Sequence, residues 1–379
     1  MLLQVACEAG VPPKVVVTDS AGIHLTISAD EPKHFAQLDS VPTISLGGPD
    51  ASGPQQFFRV QGVYLDEAGR LWVADGQSGE LRIFQPDGTH WKTIGGRGEG
   101  PGEFLQIRLL GATAGDSVLC GDSGADRITV YDPEGDFVRT DRLPSSERPP
   151  PRPFDVFPDG SVLGQQRRVL MAQSLEPGQI LRDSVELVRV RLDAQTEEPY
   201  GLAAGPLWLW TGGNQVPVPF TTNASFDVVG DEVHLVSGPD FRVRVFNGGG
   251  FRAVYGVERE PRIVSASDLD SYRGFVEEYL PESMRPEYLE PLDNEERPSR
   301  LPGYDRVIAS SDGYLWAQVY ESDLAAPHDW DVFDRKGLFR GRVHVWSGFH
   351  PFVITGDVMA GVWRDPIGVE FVHLYRLLR

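Results

Sequence analysis

Val60-Gln61-Gly62-Val63-Tyr64-Leu65, Asp66-Glu67-Ala68-Gly69, Leu71-Trp72-Val73-Ala74, Asp75-Gly76-Gln77-Ser78-Gly79, Leu81-Arg82-Ile83-Phe84, Gln85-Pro86-Asp87-Gly88 and His90 to Ile94 follow one another almost without a gap. Apolar runs of four to six residues alternate with turns rich in Asp, Gly and Pro. That rhythm reads as four short strands joined by tight turns, an antiparallel meander the size of one propeller blade. Working outward, the third strand of this unit recurs. Ile128-Thr129-Val130-Tyr131, Val188-Arg189-Val190-Arg191-Leu192, Val243-Arg244-Val245-Phe246, Trp330-Asp331-Val332-Phe333 and Val372-His373-Leu374-Tyr375 share its alternation, and all but the last run into a turn of Asp, Asn or Gly. The second strand recurs as well, in Val118-Leu119-Cys120, Val162-Leu163-Gly164, Val233-His234-Leu235, Leu315-Trp316-Ala317 and Val358-Met359-Ala360. Six copies of one sheet predict an all-β chain, a six-bladed β-propeller with blades near 58–96, 105–143, 152–205, 222–258, 303–346 and 350–379.

The last blade has no room for a fourth strand. Thr43-Ile44-Ser45-Leu46-Gly47-Gly48, followed by Gly53-Pro54-Gln55-Gln56-Phe57, mirrors Thr93-Ile94-Gly95-Gly96 followed by Gly100-Pro101-Gly102-Glu103-Phe104. Residues 41–46 are therefore expected to pair with the C-terminal blade and close the ring, removing two open sheet edges. The chain divides into a leader over 1–14, an N-terminal hairpin over 15–40 and a propeller over 41–379. Three stretches break the rhythm: a long hairpin tip or loop at 166–183, an irregular proline-rich connection at 199–221, and a helical insertion at 265–302. In the insertion Ser265 or Ser267 can cap a helix whose stripe is Leu269, Tyr272, Phe275, Tyr279 and Leu280; Pro281, Pro286 and Pro291 break up the rest of the segment.

The 379 residues carry a net charge of −20, with 42 Gly and 30 Pro spread as turn punctuation. Such a surface repels a phosphate backbone, so nucleic acid is not an expected partner, nor is an anionic membrane surface. Of two cysteines, Cys120 lies in an apolar strand and reads as a small buried hydrophobe, and no zinc spacing occurs. The start, Met1-Leu2-Leu3-Gln4-Val5-Ala6-Cys7-Glu8-Ala9-Gly10, resembles the end of a bacterial lipoprotein signal, with Cys7 as the lipidation site. Gln4 departs from that pattern, which places an aliphatic residue there.

Two motifs are accounted for by the repeat. Cys120-Gly121-Asp122-Ser123-Gly124 looks like the nucleophile segment of trypsin-like proteases, but it occupies the turn that Ala74-Asp75-Gly76-Gln77-Ser78-Gly79 occupies one blade earlier, and no partner base is evident. Gly95-Gly96-Arg97-Gly98-Glu99-Gly100-Pro101-Gly102 lacks the Gly-Lys-Ser ending of a phosphate cradle and reads as a crossing between blades. The eight histidines fall at non-equivalent blade positions. The channel mouth carries the sharper expectation. The first strand of each blade should line the channel, and Arg59, Arg108, Arg152, Asn223, Arg306 and His350 stand near its start, with Asp155, Asp227 and Asp305 close by. One reading is a polar cup for a small anionic or sugar-like ligand. The other is a hydrated channel in which Arg–Asp pairs satisfy one another.

At these points the chain resembles the NHL-repeat and related six-bladed β-propellers. Blade one matches that family's motif with Asp66, Gly69, Leu71, Trp72, Val73, Ala74, Asp75, Arg82, Ile83, Phe84, Asp87 and Gly88. The crossing matches with Gly96, Gly98, Gly100, Pro101, Gly102, Glu103 and Phe104. More narrowly it looks like uncharacterised bacterial six-bladed propeller lipoproteins, on Asp19 to Ile23, Leu301-Pro302-Gly303-Tyr304-Asp305-Arg306, Asp312 to Trp316 and Trp330 to Gly337. The resemblance spans nearly the whole chain and is specific for fold rather than function. It implies an extracytoplasmic, monomeric, non-enzymatic binding or scaffold module that recognises a protein, peptide or glycan through its face loops, needs no cofactor and meets the membrane only through a lipid anchor. The alternative it implies is a lyase or lactonase with a metal such as Ca²⁺ at the channel mouth, held by residues such as Asp155, Asn223, Asp227, Asp305 and His350.

Overall fold

A computed structural model describes residues 16–20, 22–29, 33–145, 148–167, 175–221, 223–248, 250–323 and 326–379. The expected leader, Cys7 and the tip of the 166–183 loop over 168–174 lie outside the described residues. The described residues form six sheets. Blade one is Val60–Leu65, Leu71–Asp75, Glu80–Phe84 and His90–Gly95, each strand antiparallel to the next. The innermost strands of the other five are Ile107–Ala112, Arg152–Val156, Ser225–Val229, Tyr304–Ala309 and Phe349–Thr355. These six strands touch in cyclic order, the sixth returning to the first. No helix among the described residues is long and apolar enough to cross a membrane.

The turns explain the recurrence. Gly69 takes a left-handed φ of 77°, which a side chain resists. Before it, Asp66 accepts the Arg70 amide at 2.8 Å and the Trp72 indole N–H at 2.9 Å. Asp75, fully buried at the end of the second strand, accepts the Phe58, Gln77 and Ser78 amides at 2.8, 3.0 and 3.0 Å. Asp122 does the same one blade on, accepting Leu105, Gln106 and Gly124 amides at 3.1, 2.9 and 3.1 Å. The protease-like motif is thus a turn staple, and Ser123 donates its hydroxyl proton to Gln106 Oε1 at 2.9 Å. Apolar faces of adjacent blades then pack like stacked sheets. Trp72, Leu81 and Ile83 of blade one meet Leu109, Val118 and the buried Cys120 of blade two.

Outside the ring the chain is more ordered than its sequence suggests. The hairpin Val16–Ser20 and Ile23–Ala29 does not stand alone; its second strand runs parallel to Gly250–Glu258 and widens blade four. Next, Arg342 of blade five donates its amide to Lys33 O at 2.7 Å and accepts the Phe35 amide at 3.1 Å. Gln37–Leu38 pairs with Leu377–Leu378, and Ile44–Gly47 pairs with Phe371–Leu374 of blade six. One segment therefore follows the outer edges of blades four, five and six, where backbone groups otherwise lack partners.

Two expectations are corrected. Residues 199–221 are no irregular connection: Thr196–Trp210 is a long strand against Ile180–Arg191, and Gln215–Pro217 adds a short third. Pro199 and Pro206 sit at the two register shifts of that hairpin, where a missing N–H breaks no regular ladder bond. The insertion forms α1 (Ala266–Tyr279) and α2 (Arg285–Asp293), with Ser265 and Asp268 making a complete capping box. Its buried face is rotated from the expected stripe. Val276 is fully buried and Tyr279 is 64% exposed, while Leu269 and Tyr272 pack against Phe220, Leu292 and Leu301.

Burial holds His234, His350 and His373 down to about 4. For His234 burial outweighs the Glu232 carboxylate 4.0 Å away. His373 bridges blade six to the strand beside it, through Ser45 Oγ at 3.1 Å and Tyr375 Oη at 2.9 Å. Unfolded histidines titrate near 6.5, so between about pH 6.5 and 4 the unfolded chain binds more protons than the folded one. Stability should fall as pH drops through that window and be insensitive to these groups above it. His234 alone, fully enclosed, accounts for up to about 3 kcal/mol. Urea unfolding at pH 7.5 and 4.5 checks this: His234→Phe should show a smaller loss than the wild type, and equal losses would refute the assignment.

Candidate binding site at the channel mouth

The inner strands enclose a chamber of about 490 Å³, and a second cavity of about 350 Å³ lies beside it. Gln61 and Arg108 line both and form the wall between them. The second cavity is the mouth. Arg59, Arg97, Arg108 and Arg152 line it together with Gln61, Gln106 and Ser123, and among the described residues no carboxylate does.

Local structure places each cation. Arg59 adopts φ 62° at the crossing into blade one, where its carbonyl accepts the Gly76 amide at 3.0 Å. Arg97 comes from the glycine-rich crossing, held by Gly96 N donating to Gly79 O at 2.9 Å and Phe104 N donating to Gly96 O at 2.8 Å. Arg108 and Arg152 start inner strands and share one aromatic face, their guanidinium carbons 4.7 and 5.9 Å from the centre of the Phe154 ring. Among the described residues, none of the four makes an ion pair with a carboxylate. Enclosure, then the Arg152 and Arg306 charges, pull Arg108 down to about 10, against a weaker pull upward from Asp155. It stays charged at neutral pH.

The chamber behind is different. Asp155 accepts the Val156 and Val228 amides at 2.7 and 2.8 Å; Asp227 accepts Val228 and Ala309 at 2.8 and 2.6 Å. The two carboxyls also hydrogen-bond to each other, and burial followed by the Asp227 charge pushes Asp155 well above the usual carboxylate range. Through Val228 N and Ala309 N they stitch blade three to four and four to five. Arg306 donates to Pro351 O and lies 5.2 Å from the Phe352 ring centre. Asp305 faces the open chamber; burial by the surrounding wall raises it, and Arg306 and His328 act against that.

The candidate residues are therefore not one ring. Arg59 and Arg152 line the mouth only; Arg108 serves both cavities; Asn223, Arg306, Asp155, Asp227 and Asp305 line the chamber. His350 lines neither and packs 6.1 Å from the His328 ring. Backbone amides engage Asp155 and Asp227, and a carbonyl and a ring engage Arg306, whose guanidinium also feels the Asp227 and Asp305 charges. Among the described residues no three His, Cys, Asp or Glu side chains gather as a metal ion requires. Arg97, Gln61, Gln106 and Ser123 are mouth residues that sequence reasoning missed. The signal for Arg97 was available, a lone cation inside a run of glycines.

A family model described as a 6-bladed beta-propeller matches residues 44–149. No curated protein matches the chain. Among solved structures, a protein of Bacteroides fragilis described as exported is 12% identical, with 93% of this chain and 98% of that one covered at a TM-score of 0.53. The virginiamycin B lyase of Staphylococcus aureus is 10% identical over 89% of this chain and 98% of that one, at 0.43. A gluconolactonase of Xanthomonas campestris is 12% identical over 85% and 87%, at 0.44. At these identities the Bacteroides likeness is one of fold, and that fold is the all-β propeller type.

Proposed function

We propose that the protein is a binding module whose channel mouth takes an anionic ligand, on a ring closed by the pairing of Ile44–Gly47 with the final strand. One observation carries the reading: four arginines converge on a cavity without a carboxylate in a chain of net charge −20. Uncompensated cations repel one another, so such a cluster is stabilised by an anion that enters it. Guanidinium groups suit this role because they bind carboxylate or phosphoryl oxygens through two parallel hydrogen bonds. The cavity sizes suit a small molecule or the tip of a larger one. A metal-dependent hydrolase finds less support, since the oxygens of Asp155 and Asp227 are engaged by backbone amides.

Calorimetric titration with inorganic phosphate and citrate tests the reading. Arg152→Gln, at an exposed site, is expected to weaken binding about tenfold or more, the value of one charge-assisted hydrogen bond. Binding unaffected by both Arg152→Gln and Arg108→Gln, with melting curves unchanged, would place the ligand elsewhere.

A further inference from the structure

We infer that the ligand carries at least two negative charges at one end and a compact apolar or ring-shaped body at the other, the charges in the mouth and the body in the chamber. This rests on the anion-binding reading above and specifies the ligand class.

The charge count comes first. A monoanion would leave three of the four mouth guanidiniums without a counter-charge. Arg108 is the critical one, since it stands half-buried in the shared wall with Arg152 and Arg306 both raising the local positive potential. Phe154 holds Arg108 and Arg152 against one ring, so the two present separate anchor points that a single-point anion cannot satisfy together.

Orientation comes second. The chamber contains the Asp305 carboxylate, facing the open space, and the hydrogen-bonded Asp155–Asp227 pair, together with the Arg108 and Arg306 guanidiniums. Carboxyls and guanidiniums offset one another there, whereas the mouth holds guanidiniums alone, so an anionic group is held more strongly at the mouth. Beside its polar groups the chamber offers an aromatic face: Phe154 and Phe226 meet edge to face with centroids 5.9 Å apart, and Phe352 also lines it. Phe226 lines the chamber and not the mouth, so the two halves of the ligand can be tested separately.

Calorimetry with acetate, malonate, inorganic phosphate and phenyl phosphate is the experiment. Malonate and phosphate separate a dicarboxylate from a phosphoryl source of the charge. At least one of them should bind tenfold or more tightly than acetate, and phenyl phosphate tenfold or more tightly than phosphate. Phe226→Leu, checked by its melting curve, should remove the phenyl increment and leave phosphate affinity within twofold; Arg108→Gln should weaken both. If acetate equals malonate and phosphate, anion binding stands and the charge requirement fails. If phenyl phosphate equals phosphate, or Phe226→Leu leaves the increment intact, the assignment of the body to the chamber fails. If no anion binds saturably, the reading beneath it fails as well.

Discussion

A chain shortened to begin at residue 48 is expected to lose its cooperative unfolding transition. Ile44 and Leu46 are buried, 8% and 2% exposed, in a cluster that joins blade six to blade one through Phe57, Val60, Val63, Val372 and Leu374. Leu46 stands opposite Val372 and Ile44 opposite Leu374. The truncation deletes four core residues, Ala36, Leu38, Ile44 and Leu46, of which the leucines and the isoleucine are worth about 2–5 kcal/mol each when truncated. It also unpairs the Glu370–Leu378 edge. Domains of this kind hold only about 5–15 kcal/mol in total, so the truncated ring should expose apolar surface and bind a hydrophobic dye. The milder Leu46→Ala should cost about 3 kcal/mol in urea unfolding, whereas Val17→Ala, at a side chain 56% exposed, should change little. A truncated protein that unfolds like the full chain would mean that this strand does not hold the ring.

Much of this architecture was legible because it is local. A blade repeats its own turns, and residues such as Asp66, Gly69 and Asp75 fix those turns within a few positions of themselves. The outer segment was legible only where it copied a repeat, at Thr43 to Gly48. Its parallel pairing with Gly250–Glu258 has more than two hundred residues between partners and leaves no local mark. Prolines misled at 199–221 because the absence of an N–H matters only where a ladder bond was due, and register shifts remove that need. At the site, inward arginines could be named, but their partners could not. Asp155 and Asp227 are carboxylates in any sequence reading; that backbone amides of the next blade occupy them is known only once the blades are side by side. His350 was misplaced for a related reason, since membership of an inner strand does not fix the direction of a side chain near its end.

Asp331→Ala is the single substitution expected to cost most, about 3–5 kcal/mol. The Asp331 side chain is fully buried in blade five. It accepts Arg342 Nε at 2.9 Å, Arg259 Nη1 at 3.0 Å and the Tyr304 hydroxyl at 2.8 Å. Those partners come from three places: the outer strand of the same blade, the exit from blade four, and the inner strand of blade five. Burial pushes the Tyr304 hydroxyl well above its ordinary range, so it remains protonated and donates. Without Asp331 two enclosed guanidiniums lose their shared carboxylate, and a buried charge stripped of its counter-ion is far costlier than the pair is stabilising. Asp331→Asn should be nearly as damaging, because an amide presents its own N–H donors to these cations. The damage should also travel outward. Arg342 holds Lys33 and Phe35 by its backbone, so the amide of Phe35 should exchange faster and proteolysis near residues 29–36 should accelerate. A matching change at Asp141, in a surface pair with Arg139 at 2.8 Å, is expected to cost under about 1 kcal/mol. Should Asp331→Ala cost no more than that surface change, the three-way contact does not organise blade five, and the outer segment must be held by its strand pairing alone.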